Sequence, residues 1–182
     1  CYNDNIYNDP NTSATFCNNL EELEKLATAE SDDFKAMVSV IAGLQNSNKR
    51  LYQLGIKNYE KALVLLQNST TDSLKAKALN GIGNNYKIIG NYKKATKNLF
   101  AALKLYEKDK NVLGIGSVHT ILGDLYFQMD KLEKAKQSYE LAMQVLKHHK
   151  SSMFFLSTTH SLANYYGMNG NFDKALSLDE MG

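Results

Sequence analysis

Residues 79–102 read LNGIGNNYKIIGNYKKATKNLFAA, and the spacing inside this stretch decides the fold. Leu79, Ile82, Gly83 and Tyr86 recur at three- and four-residue intervals, which puts them on one face of a helix. Tyr92, Ala95, Leu99, Ala102 and Tyr106 do the same for the segment that follows. Gly90 stands between the two, where a left-handed residue ends a helix, and Asn91 is placed to cap the next one. The stretch therefore predicts helix, tight turn, helix.

The same spelling returns with a forty-residue period. Leu79, Ile82, Gly83, Tyr86 and Ala95 are answered by His119, Leu122, Gly123, Tyr126 and Ala135, then by Thr159, Leu162, Ala163, Tyr166 and Ala175. An earlier copy is expected to keep only its second half, Tyr59-Glu60-Lys61-Ala62 with Leu66. Its length should differ from the others, because Ala62 stands less than a full period before Ala95. Gly83, Gly123 and Ala163, with Ala95, Ala135 and Ala175, would let paired backbones approach closely, and Tyr86, Tyr126 and Tyr166 would fill the wedge beside them. One hairpin cannot bury such a face alone, so neighbours must stack into a solenoid.

These spacings resemble the tetratricopeptide repeat (TPR) family, in a variant of about forty residues where the usual repeat has about 34. The resemblance covers roughly residues 35–182. It implies an all-α, right-handed α-α superhelix of stacked antiparallel hairpins. There are departures: the family's tryptophan-type position is Leu79, His119 and Thr159, its closing proline is missing from every copy, and Asp179 stands where a large apolar residue is expected.

The expected layout is an extended polar lead-in over 1–17, then a solenoid over 18–182. It opens with a short helix to Glu30 that aligns Leu20, Leu23 and Leu26, followed by hairpins at about 34–69, 74–108, 112–149 and 152–182. The last helix is short and no polar capping helix follows, which reads as a piece of a longer protein that continues past Gly182. Composition agrees with an ordinary folded chain: of 182 residues 43% are hydrophobic, 22% are charged, and the lone proline is Pro10. No apolar run reaches the ~20 residues of a membrane span.

Charge is uneven. Residues 1–40 carry eight acidic side chains and two lysines, whereas 41–182 carry nineteen basic and eleven acidic ones. Arg50 is the only arginine, and without arginine forks the lysine excess reads as solvated helix faces and not as a nucleic-acid surface. The two cysteines form no zinc or disulfide pattern. Cys1 supports two readings: an arbitrary starting point, or the lipidated cysteine of a bacterial lipoprotein followed by a polar tether to Thr15. The compartment is cytoplasmic by default, and periplasmic or membrane-tethered under the second reading. Cys17 reads as an unpaired, partly buried thiol.

Stacked hairpins curve, and the first helix of each lines the concave side. Three rows face that groove in the forty-residue register: Asn80, Thr120 and His160; Asn84, Asp124 and Asn164; Lys87, Phe127 and Gly167. An asparagine offers donor and acceptor together, which suits the unpaired groups of an extended peptide. The resemblance implies the same use, with the asparagine after the small residue gripping the peptide backbone; Asn84 and Asn164 match, and Asp124 departs toward a cationic ligand group. Four first helices ~9–10 Å apart span roughly 30 Å, room for about nine extended residues. The family's clamp for a C-terminal carboxylate is matched only in part, by Lys77 and Asn84; Ser117, Ile121, Asp124, Ser157 and Ser161 break it.

No phosphate loop, nucleophile elbow or carboxylate pair is present, which argues against an enzyme and implies no cofactor. His119 takes an apolar packing position and reads as a half-buried core residue. His148 and His149 are neighbours that cannot share a metal across one helix face. Gly114 and Gly116 read as loosening between repeats. The leading expectation is a non-enzymatic scaffold for a protein or peptide, the sensory or docking region of a bacterial signalling protein. One alternative is a self-assembly module using its convex face or its uncapped C-terminal end. The other is an accessory region of an enzyme whose catalytic part lies elsewhere.

Overall fold

The computed structural model describes residues 31–179, all of them helices and turns. The polar lead-in, the helix carrying Leu20, Leu23 and Leu26, and both cysteines lie outside the described residues, as does the Asp179 side chain. Eight helices follow one another: α1 (Asp32–Asn48), α2 (Tyr52–Leu65), α3 (Asp72–Ile88), α4 (Tyr92–Lys108), α5 (Val112–Gln128), α6 (Leu132–Leu146), α7 (Met153–Met168) and α8 (Phe172–Asp179).

The ends of these helices repeat chemically. Ser31 Oγ accepts from Phe34 N, Asn111 Oδ1 from Gly114 N and Ser152 Oγ from Phe155 N, each covering one of the first-turn donors a helix leaves open. Asn171 Oδ1 does the same for Lys174 N. Left-handed residues close α1, α3, α5 and α7: Arg50 (φ 62°), Gly90 (φ 78°), Asp130 (φ 56°) and Gly170 (φ 76°). At each, the next residue's N–H reaches back five positions, Leu51 to Asn46 O, Asn91 to Tyr86 O, Lys131 to Tyr126 O and Asn171 to Tyr166 O, at 2.8 to 2.9 Å. This is the Schellman closure; these four recur once in every forty-residue period, and a fifth at Lys110 (φ 52°), with Asn111 N–H donating to Tyr106 O at 2.8 Å, closes α4.

That recurrence corrects the expectation for the first copy. It is complete and has the same length as the others. Gly43 stands one full period before Gly83, and Tyr59, Ala62 and Leu66 stand one period before Leu99, Ala102 and Tyr106. A Cβ on Gly43 would lie 2.7 Å from the Tyr59 ring, just as one on Gly123 would lie 2.4 Å from the Tyr139 ring. The copy is disguised because Ser39, Ala42 and Asn46 replace its larger signature residues, and because Tyr59-x-x-Ala62 mimics Tyr92-x-x-Ala95 from a different part of the repeat.

The helices form two compact units, one up to Asn91 and one from Tyr92. In the first, α1 and α2 form a hairpin and α3 packs on both. Its core joins Ala36, Val40, Tyr59, Ala62, Leu66, Leu74, Ala78 and Ile82, with Tyr86 packed against it. The Tyr59 ring lies between Gly43 of α1 and Gly81 of α3, where a Cβ would come within 2.7 and 2.4 Å. Thr71 Oγ1 donates to Asp33 Oδ2 at 2.8 Å, tying the starts of α1 and α3. Bonds from Ser69 and Thr71 hold the Asp33 carboxyl below the ordinary carboxylate range.

In the second unit α4 packs on α5, α5 and α6 form a hairpin, and α7 packs on both before pairing with α8. Ala135, Tyr139, Leu162 and Tyr165 form a core cluster, with Tyr126 and Tyr166 packed against it. Lys174 Nζ sits 5.1 Å from the Tyr166 ring centroid and Lys134 Nζ 5.9 Å from that of Tyr126, so both wedge tyrosines are half-covered by an ammonium. The glycines also have sharper work than expected. Gly114 and Gly116 do not loosen the stack: a Cβ at either would strike the Tyr106 ring at 2.4 Å or the Leu146 side chain at 2.5 Å. Gly123 makes room for the ring of Tyr139 in the same way.

Candidate functional site

The second unit holds five of the eight expected groove residues, on the neighbouring first helices α5 and α7. Thr120 does not face outward. It is buried, its hydroxyl bonds back to Gly116 O at 3.0 Å, and it meets Thr158 Oγ1 at 2.6 Å. Thr158 is fully buried and donates to Phe154 O. The pair is small enough to let α5 and α7 approach, and each hydroxyl stays satisfied by its own helix, so the place expected to line the groove became part of the helix contact.

The remaining four keep some exposure. Asp124 is half-buried, and its Oδ1 accepts a hydrogen bond from Tyr139 Oη at 2.9 Å. Burial, then the Asp124 charge and hydrogen bond, push the Tyr139 phenol far above its ordinary range, so it is a neutral donor that fixes the carboxylate's direction. Sequence reading placed Tyr139 in the core only; its second role depends on the hydroxyl reaching across the α5–α6 hairpin. Phe127 packs edge-on against Tyr165, centroids 6.1 Å apart, and Tyr165 packs on Tyr166 at 5.4 Å. Phe127 thus belongs half to the core and half to the surface.

His160 and Asn164 are both exposed, one turn apart on α7, with Asn164 Nδ2 3.0 Å from His160 Nε2. With the amide nitrogen turned to the imidazole, Asn164 keeps an acceptor (Oδ1) and its second amide hydrogen for a ligand. Gly167, next in the expected third row, is half-buried, and a Cβ there would meet only Ala175 at 4.0 Å.

The first unit holds Asn80, Asn84 and Lys87 on α3. Asn80 and Asn84 are half-buried, and Lys87 is buried at 8% exposure, so its stem and head are not spread on an open surface. The neighbour that sequence reading passed over is Asn85. It is 1% exposed and donates to Ser47 Oγ at 2.8 Å and to Tyr52 O at 3.3 Å. Its register counterparts are Leu125 and Tyr165, so periodicity marks the slot as apolar; only the tertiary partners reveal a polar lock.

His119 is half-buried as expected, and desolvation lowers its pKa against a smaller opposing pull from Glu107. Among the described residues no cluster of three His, Cys, Asp or Glu side chains could hold a metal. Among them, too, no helix is long and apolar enough to cross a membrane.

The sequence model of the tetratricopeptide repeat matches residues 117–145, which span most of α5 and α6. No curated protein matches the chain. Among solved structures it superimposes on the apo form of RapI with a TM-score of 0.73 at 16% identity, over 92% of this chain and 60% of that one. BtubC (BKLC) from P. vanneervenii gives 0.71 at 18%, over 94% and 70%. MamA gives 0.62 at 20%, over 96% and 93%. At such identities the likeness is one of fold. With the Schellman closures, the tyrosine-against-glycine packing and the forty-residue register already in place, residues 117–145 match the tetratricopeptide repeat and the described chain has the all-α helical-hairpin fold of these structures.

Proposed function

We propose that this chain is a non-enzymatic scaffold that holds a protein segment or extended peptide along its first helices, as the sensory or docking region of a larger bacterial signalling protein. The fold supports the general part: tetratricopeptide repeats are in general non-catalytic platforms for protein–protein contacts. The observation that carries the specific part is the exposed His160–Asn164 pair, with Asp124 at the same register position on the adjacent α5. A peptide unit presents one donor and one acceptor, and the pair presents the complementary set. Asp124, aimed by Tyr139, adds a negative group that favours a donor-rich ligand. Asn84 takes the same register position on α3.

A peptide selected from a displayed random 12-residue library, labelled and titrated by fluorescence anisotropy, tests this reading. Asn164→Ala and Asp124→Ala should each weaken capture, by roughly tenfold for the loss of one or two ligand hydrogen bonds. Selected peptides that bind the double variant as tightly as the original chain would remove the reading.

A second reading, self-association, has an observation of its own. The last hairpin exposes Met168 by 75%, Phe172 by 71% and Leu176 by 63%, large apolar groups that a second copy could cover. Light scattering of Phe172→Glu/Leu176→Glu beside the original chain tests it, and an original chain that is monomeric at high concentration overturns it.

A further inference from the structure

The second helices do not share one surface. On α4, Lys93, Lys97, Phe100, Lys104 and Lys108 are all exposed and recur at steps of 4, 3, 4 and 4 residues. At 100° per residue they fall within a strip about 80° wide and about 22 Å from end to end at ~1.5 Å rise, bordered near its C-terminal end by the exposed Glu107. Phe100 is 48% exposed in the middle of it. The fold does not require this row, because the forty-residue register supplies an internal control. At the matching places on α6 stand Glu133, Gln137, Glu140 and Gln144, all exposed. Lysine in place of Glu133 and an exposed phenylalanine in place of Glu140 are features of α4 alone.

We propose that this face of α4 docks an acidic amphipathic helix of a partner protein, with carboxylates along one side and an apolar gap at its centre for Phe100. The strip is narrow and four turns long, the dimensions of a single helix laid alongside. An aromatic anchor at the centre with a polar, solvent-accessible rim is a common arrangement of a binding interface. A bilayer is disfavoured because a plane would also engage the neighbouring second helix, and α6 of the same unit offers Glu133 and Glu140. A duplex is disfavoured because the row contains no arginine fork for phosphates.

The test uses the whole chain and a labelled synthetic 18-residue helix carrying glutamates at i, i+4, i+11 and i+15 with leucine at i+7. Its competitors are the same residues in scrambled order, a 16-base-pair duplex, and vesicles containing phosphatidylglycerol. The ordered peptide should bind best, weaken steeply as salt rises, and lose roughly tenfold or more in the variant Lys93→Glu/Lys97→Gln/Phe100→Glu/Lys104→Gln. That variant gives α4 the residues α6 already carries, so folding is preserved and circular dichroism checks it. Asn164→Ala should leave this binding unchanged, which separates it from the groove. Equal binding of the scrambled peptide, no loss in the variant, or tighter binding of duplex or vesicles would each overturn the proposal.

Discussion

At the residue scale the chain is governed by pairs of one large and one absent side chain. Tyr59 needs Gly43, and Tyr139 needs Gly123. The last copy carries Ala163 at this position, and there the residue in register with Tyr139 is Asp179, with no ring to receive. Gly123→Ala should therefore destabilise by about 1–3 kcal/mol, the cost of overpacking, measured by urea denaturation. Gly123→Ala/Tyr139→Leu should recover part of that loss, since Leu99 fills the same position in the second copy. His119 supplies a pH dependence. Its folded pKa is depressed by burial below the ordinary 6.5, so the unfolded chain binds the extra proton first. The stability it permits is full above that value and is lost as pH falls through 6.5 toward the lower folded pKa. His119→Leu should flatten the denaturation midpoint between pH 7 and pH 5, and an unchanged slope would count against this assignment.

Among the elements, the turns set the period. Each first helix ends on a left-handed residue, and two of the four are not glycine. A non-glycine residue there pays roughly 1–2 kcal/mol of steric cost, partly offset because glycine loses more backbone entropy on folding. Arg50→Gly should consequently stabilise by somewhat under ~1 kcal/mol, whereas Gly90→Ala should destabilise by about 1 kcal/mol; thermal denaturation of the two in opposite directions checks both. Asn85 acts between elements, joining α3 to Ser47 of α1 and to the start of α2. Asn85→Ala leaves a void and removes the donor that Tyr52 O receives from Asn85, an expected cost of about 1–3 kcal/mol.

For the molecule as a whole, each of the two units has its own packed core. Repeat proteins carry stability as a sum of local terms and nearest-neighbour contacts. Gly123→Ala should then raise amide hydrogen exchange through α5, α6 and α7 while α1 and α2 stay near their original protection. Uniform loss across all eight helices would show a single cooperative block instead.

How much of this was legible beforehand follows from where each cause resides. Periodicity and small residues are one-dimensional signals, so the sequence alone determined the helical hairpins, their forty-residue repeat and the membership of Leu122, Tyr126 or Ala135 in the core. The first copy was hidden because its signature positions hold Ser39, Ala42 and Asn46, although the turn at Arg50 closes on the same hydrogen bonds as the turn at Gly90. Which polar residues face outward was decided only by packing. Thr120 and His160 share a register position, yet one is sealed against Thr158 and the other lies in solvent, because α7 covers α5 and none of the described helices covers α7 on that side. Likewise Tyr139 reads as core until its hydroxyl is seen to hold Asp124. Burial and hydrogen bonding are relations between segments, and no residue carries them by itself.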